Sequence, residues 1–331
     1  MKFAEVFRKY GLFIVLIIIC IVFSVMTPAF FTLSNIMTIA RQVSMTGIAA
    51  VGMMFVLLTG GIDLSIGSVL ALVNVVGAWL LVNTGIPSGI IVAMMIAFAA
   101  GFGLLQGVII TKMKVPPLIC TMAFMNILSG LAFIITQGMP VYGYKDAAFD
   151  LLGKGFVGPI PVPVLIMIGV IVLGAIILSK TYFGRYFYAI GGNEEAALLS
   201  GINVNRTKML VYTLSCAFAG LAGIIMLSRL GSGQPITGTG FEFEVIICVV
   251  LGGVSVAGGS GKLFGVVVGV LIMGVLTNGL LLVNVNEYVQ RVVQGVVLVL
   301  AVGFDTMSRV SKKATQEAKD RAIGGTSSAK T

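Results

Sequence analysis

Apolar runs of the length needed to cross a bilayer follow one another through nearly the whole chain, and they decide the solvent in which it can fold. A spanning helix takes about 20 mostly apolar residues. Spans are read from near Leu12, Val43, Ile66, Ile90, Leu118, Val162, Met209, Phe243, Leu263 and Val289. Of the 331 residues 58% are hydrophobic and 10% charged, with a mean hydropathy of +1.10, whereas about a quarter of an ordinary globular chain is charged. The expected fold is all-α and polytopic, with about ten transmembrane helices in a lipid bilayer and no room for a separate globular domain.

A net charge of +9 could suggest nucleic acid, but basic residues in a membrane chain report topology, because cytoplasmic loops collect Lys and Arg. With the N-terminus inside, the inner segments hold sixteen of the 21 basic residues, and Arg41, Lys145, Lys154, Arg229 and Arg291 fall outside. Both termini are therefore expected in the cytoplasm of a bacterial inner membrane, and no nucleic-acid partner is expected. The first apolar run ends in Thr27-Pro28-Ala29 with no small-residue cleavage site, so it reads as an uncleaved helix. Residues 306–331 read as a cytoplasmic tail, helical at first and then disordered.

Cys20, Cys120, Cys216 and Cys248 are scattered through apolar runs and histidine is absent. No metal site, cofactor or catalytic residue is expected from that inventory. The stretch Ala257-Gly258-Gly259-Ser260-Gly261-Lys262-Leu263 invites comparison with a phosphate-binding loop. It has Val256 at the first Gly position and Leu263 where a Ser or Thr would hold magnesium.

Gly60-Gly61-Ile62-Asp63-Leu64-Ser65-Ile66-Gly67-Ser68 aligns with Gly252-Gly253-Val254-Ser255-Val256-Ala257-Gly258-Gly259-Ser260, the matches all being Gly or Ser. Such residues recur wherever membrane helices pack closely. An internal repeat is thereby suggested, with parallel and inverted arrangements both open.

Polar residues at membrane depth are candidates for a solute path. Asp63 is acidic in a stretch otherwise free of charge from Arg41 to Lys112, and its surroundings favour capping of a broken helix over a role in the path. Asn74, Gln106, Asn126 and Asn278 are neutral path candidates, although amides more often bond helices together. Arg41, Lys145, Lys154 and Arg229 could pair with carboxylates of a soluble protein docking from outside. The inner loop from Lys180 to Lys208 carries a short helix capped by Asn193, with Glu194 and Glu195 in its first turn and Gly201 at its end.

That loop, through Glu195-Ala196-Ala197 and Gly201, resembles the cytoplasmic loop by which bacterial ATP-binding-cassette (ABC) importer permeases dock on their ATPase. From about Gly11 to Asp305 the chain resembles the ribose, xylose and galactose type of permease in the branched-chain amino acid and ribose superfamily. The stretches carrying the likeness are Phe31-Thr32-Leu33-Ser34-Asn35-Ile36, Gly60–Ser68, Gly184-Arg185, Ile190-Gly191-Gly192-Asn193, Ser200-Gly201-Ile202-Asn203-Val204 and Val250–Gly259. A departure is Leu198-Leu199, where a basic residue is expected beside the Ala pair.

The resemblance implies a permease domain over 1–305 that does no covalent chemistry. Its implied partners are an ABC ATPase subunit, an extracytoplasmic sugar-binding protein, and a second permease in a homodimer or heterodimer. Asn193, Glu194, Glu195, Ala196, Ala197 and Gly201 would form the ATPase-coupling segment, with Ala196 and Ala197 letting the ATPase groove close around the backbone. Nucleosides and branched-chain amino acids are the alternative substrates within the superfamily. A secondary transporter is the alternative outside it, and it would need midplane carboxylates, for which Asp63 is the candidate.

Overall fold

The computed structural model describes residues 2–303 and Thr306, with side chains from Gly11 onward. Except for Thr306, the tail expected over 306–331 lies outside the described residues. The chain is helical almost throughout: α1 (Lys2–Met26), α2 (Leu33–Leu58), α3 (Ile66–Asn83), α4 (Ser88–Lys112), α5 (Pro117–Thr136), α6 (Ala147–Lys154), α7 (Val162–Lys180), α8 (Tyr182–Gly192), α9 (Glu194–Leu199), α10 (Val204–Leu230), α11 (Phe241–Leu251) and α12 (Leu263–Leu282). A last helix, α13, covers 287–303. A minimal hairpin pairs β1 (Phe156–Val157) with β2 (Ile160–Pro161).

Among the described residues seven helices, α2, α3, α4, α5, α7, α10 and α12, are long and apolar enough to cross a membrane, and α1 adds the shorter apolar run Gly11–Met26. The ten expected starts all fall in helices: those eight, α11 and α13. The helix α11 has 11 residues. At 1.5 Å per residue it rises about 16 Å, half of a ~30 Å hydrocarbon core.

Local chemistry sets the ends. Thr32 caps α2 by accepting from the Asn35 amide at 3.4 Å. α5 begins at Pro117 and α7 carries Pro163 as its second residue, where the missing N–H has no helical partner to lose. α10 stops at Gly231, whose φ of +70° suits a residue without Cβ.

At the centre stands α2, in which every residue from Val43 to Leu58 is buried. α7, α10, α11 and α12 pack around it, and the first ten residues of α3, also buried, lie against α10, α5 and α4. Glycines permit the approach: a Cβ at Gly223 of α10 would lie 2.6 Å from the Leu70 carbonyl oxygen, and one at Gly52 would lie 2.8 Å from Ser215 Cα. Close backbone contact is how helices associate when lipid is as apolar as their side chains. By contrast only 17% of the apolar window of α7 and 22% of that of α4 is buried, so these helices present Ile, Leu and Val outward.

Candidate functional site

Two glycine turns interrupt the bundle and meet at one end of it. The first, between α2 and α3, is organised by Asp63, which is fully buried. Its Oδ1 accepts from the Ser65 amide at 3.0 Å and the Ser65 hydroxyl at 2.6 Å, and its Oδ2 from the Ser215 hydroxyl at 2.8 Å. Gln106 donates in turn to Ser65 Oγ at 2.8 Å. The carboxylate thus joins the start of α3 to α4 and α10. The second turn, between α11 and α12, contains Gly253, Gly258, Gly259 and Gly261, all at positive φ. The Gly259 amide donates to the Leu58 carbonyl at 3.0 Å, which bonds one turn to the other.

At the opposite end of α11 lies a cavity of about 850 Å³, walled by α2, the end of α10, the start of α11, and α13. Gln42, Thr46, Arg229, Glu244, Gln290 and Gln294 are among the residues that line it with polar groups, and Glu242, Glu287 and Arg291 reach it as well. Glu244 Oε1 accepts from the Thr46 hydroxyl at 3.1 Å, which ties α11 to α2. Glu242 is 5% exposed and lies against Gly67 of α3. A second hollow of about 420 Å³, between α1, α2 and α12, is walled by apolar side chains such as Phe30, Ile39 and Val275. Of these two, the first offers groups that could exchange water for solute hydroxyls.

Asp63, Asn74, Gln106, Asn126 and Asn278 all lie off the cavity wall. Asn74 Oδ1 accepts from the Gln234 amide at 2.7 Å, and Asn278 exchanges two bonds of 3.0 Å with Asn35 of α2. Asn126 is exposed and donates to the Met122 carbonyl one turn back. Four of the five are therefore tied into the packed bundle, and one faces outward.

The short helix expected on the inner side is α9. Asn193 Oδ1 accepts from the Ala196 amide at 2.9 Å, Gly201 sits at φ +83°, and the Ile202 amide returns to the Ala197 carbonyl at 3.1 Å. Glu194 pairs with Lys208 of α10 at 2.7 Å. One expectation about this segment needs correcting. Ala197 is 4% exposed and packs on Ile190 and Val204, so it seats α9 on its own chain. The outward surface belongs to Glu195, Ala196, Leu198 and Leu199, with Leu199 89% exposed.

The basic residues expected outside gather at the cavity end. Arg41 lies over the Phe156 ring at 4.6 Å from its centroid, Lys154 pairs with Asp150 at 3.0 Å, Lys145 is exposed and Arg229 reaches the cavity. Asp146 caps α6 by accepting from the Phe149 amide at 3.0 Å, which holds its carboxyl below the usual Asp value.

Residues 35–302 match the family described as the branched-chain amino acid transport system / permease component. The chain belongs to that family. The permease is 43% identical to the ribose import permease protein RbsC of Bacillus subtilis over 304 residues, 92% of this chain and 94% of that one. It is 45% identical to RbsC of Escherichia coli K12 over 91% of this chain and 94% of that protein. With the L-arabinose transport system permease protein AraH of the same strain it shares 39% over 94% of both. No solved structure matches it.

For this permease the sequence reading missed Glu242 and Glu244, two acids at the start of an apolar run, of which Glu242 is buried like Asp63 and Glu244 is half-buried on the cavity wall. Their signal was the alternation Phe241-Glu242-Phe243-Glu244, where apolar neighbours mask the charge in any window average. Like Asp63, they are functional candidates by their depth.

Proposed function

We propose that this permease is the membrane-spanning subunit of an ABC importer for a monosaccharide. The carrying observation is the polar cavity at the start of half-helix α11, in a chain whose relatives are named for ribose and arabinose import. A neutral, hydroxyl-rich solute loses hydrogen bonds to water when it enters a membrane, and amides, hydroxyls and carboxylates are the groups that replace them. We assign the path to this cavity and a packing role to Asp63, Asn74, Gln106 and Asn278.

In this reading an extracytoplasmic sugar-binding protein docks at the α6 end, where Arg41, Lys145, Lys154 and Arg229 lie. An ABC ATPase takes the outward face of α9. A second permease, identical or related, completes the path, and both termini are cytoplasmic. Transport is alternating access: closure of the ATPase displaces α9, and the cavity changes the side to which it opens.

The test is reconstitution with a cognate ATPase and binding protein in proteoliposomes. Uptake of labelled ribose or arabinose that requires internal ATP is the expected result. Uptake that runs on a proton gradient without the ATPase would transfer the chain to the secondary transporters. A reporter fused after Thr306 and another within 137–161 should report opposite sides of the membrane.

A further inference from the structure

Where the two glycine turns meet, a third element is wedged against both of them. Gly191 of α8 faces the turn backbones so closely that an added methyl would collide with the Leu58 carbonyl oxygen and the Gly259 amide nitrogen. One turn of helix earlier, the Tyr188 hydroxyl donates to the Gly261 carbonyl at 2.9 Å. The next residue along differs: a methyl on Gly192 would meet nothing within 4 Å. The collision of an added methyl is therefore specific to Gly191, although the backbone of Gly192 also lies against Gly259.

We propose that Tyr188 and Gly191 are the positioning residues that carry a displacement of α9 into the α11–α12 turn, and through α11 to the cavity. This rests on the transport reading above. A single residue, Asn193, separates α8 from α9. Ile190 of α8, Ala197 of α9 and Val204 of α10 share one packed cluster, so α8 and α9 are held against each other and against the start of α10. Gly191 meets the turns backbone to backbone, with no side chain between them to absorb a shift by changing rotamer. Beyond the turn, α11 is one short continuous helix whose first turn places Glu242 against α3 and Glu244 on Thr46. Movements of about 1–2 Å at such helix contacts are what switching proteins amplify.

The residue pair supplies its own control. Gly191→Ala and Gly192→Ala change helix propensity at adjacent positions by similar amounts, and the collision occurs at Gly191 alone. Tyr188→Phe removes one hydroxyl from a hydrogen bond and leaves the ring.

In proteoliposomes with ATPase and binding protein, Gly191→Ala should lower sugar moved per ATP hydrolysed at least tenfold and Tyr188→Phe about threefold. Gly192→Ala should stay within twofold of the unaltered chain, and all three should retain the ATPase on purification. A full transport ratio in both Gly191→Ala and Tyr188→Phe, or an equal loss in Gly192→Ala, overturns the proposal.

Hydrogen exchange in detergent provides a readout that needs no substrate. The Gly259 amide should exchange at least tenfold faster in Gly191→Ala and at an unchanged rate in Gly192→Ala; equal rates in both variants overturn the proposal. An unaltered chain that moves no sugar would count against the transport reading, while the exchange result would still decide the junction.

Discussion

The turns at 59–65 and 252–262 each contain a Gly-Gly pair, and they are held in opposite ways. In the first, a buried carboxylate takes hydrogen bonds from Ser65 and Ser215, and the Thr121 hydroxyl of α5 donates to the Ile62 carbonyl at 3.2 Å. In the second, four of the glycines lie at positive φ, and Gly259 and Gly261 bond to other elements through their backbone groups. Side-chain networks buried at low dielectric fix one geometry, while glycine leaves a backbone free to take several. One glycine pair thus serves once as an anchor and once as a joint.

The largest effect expected of that difference is at Asp63. Asp63→Ala would leave the Ser65 and Ser215 hydroxyls and the Ser65 amide buried without their acceptor. Each such loss costs about 1–3 kcal/mol, so roughly 3 kcal/mol or more of stability should go. Thermal unfolding in detergent would register it, and an unchanged melting point would remove the anchor from the comparison.

Gly253→Ala, where φ is +83° and a Cβ would meet nothing within 4 Å, should do the reverse, with transport suffering more than stability. Forcing Cβ into the left-handed region costs about 1–2 kcal/mol, so the protein should fold and reach the membrane while uptake falls at least tenfold. Gly60, at φ +77°, is the matched site in the other turn. If Gly60→Ala gave the same ratio of uptake loss to stability loss, the two turns would be equivalent.

Glu244→Ala breaks the tie from the far end of α11 to α2. A hydrogen bond of this kind contributes about 0.5–1.5 kcal/mol. Uptake should drop several-fold with little change in the exchange of Gly259, because the junction lies at the other end of the helix. Glu244→Gln, which keeps an acceptor for Thr46, should recover part of the activity.

The smallest effect is the reference. Asp146 is a depressed carboxyl at the start of α6, so the cap is complete above the ordinary Asp value of 3.8 and is lost as pH falls through the lower native value. Exchange of the Phe149 amide should quicken across that acidic window, and that of Gly259 should not. Asp146→Asn should abolish the pH dependence at Phe149.

Much of the architecture was legible because span length and apolarity are set by the bilayer. The helix boundaries near polar residues were not: α2 begins at Leu33, ten residues before the expected Val43, since Ser34, Asn35, Arg41 and Gln42 interrupt the apolar run. Lys180 to Lys208 was read as one loop around a short helix, and the aromatic α8 within it was missed. Which helices lie inside could not be read either. In lipid the outer face is as apolar as the inner one, so α7 and α2 look alike in sequence although 17% of one window and 89% of the other is buried. The capped ends of α9 were legible from Asn193 and Gly201, whereas the inward turn of Ala197 depends on Ile190 and Val204 and needed the fold.

The reciprocal amide pair of Asn35 and Asn278 bears on how the protein is made. Its members are 243 residues apart in sequence. At ~5–20 residues per second of synthesis, α2 enters the bilayer on the order of 10 to 50 s before α12 exists to pair with it. Through that interval the Asn35 carbonyl oxygen lacks its later donor, and the central helix is incomplete until the penultimate one arrives. A substitution at Asn278 would therefore be felt first as a biogenesis defect of α2, with nascent chains held longer by the insertion machinery and cleared more often by membrane proteases.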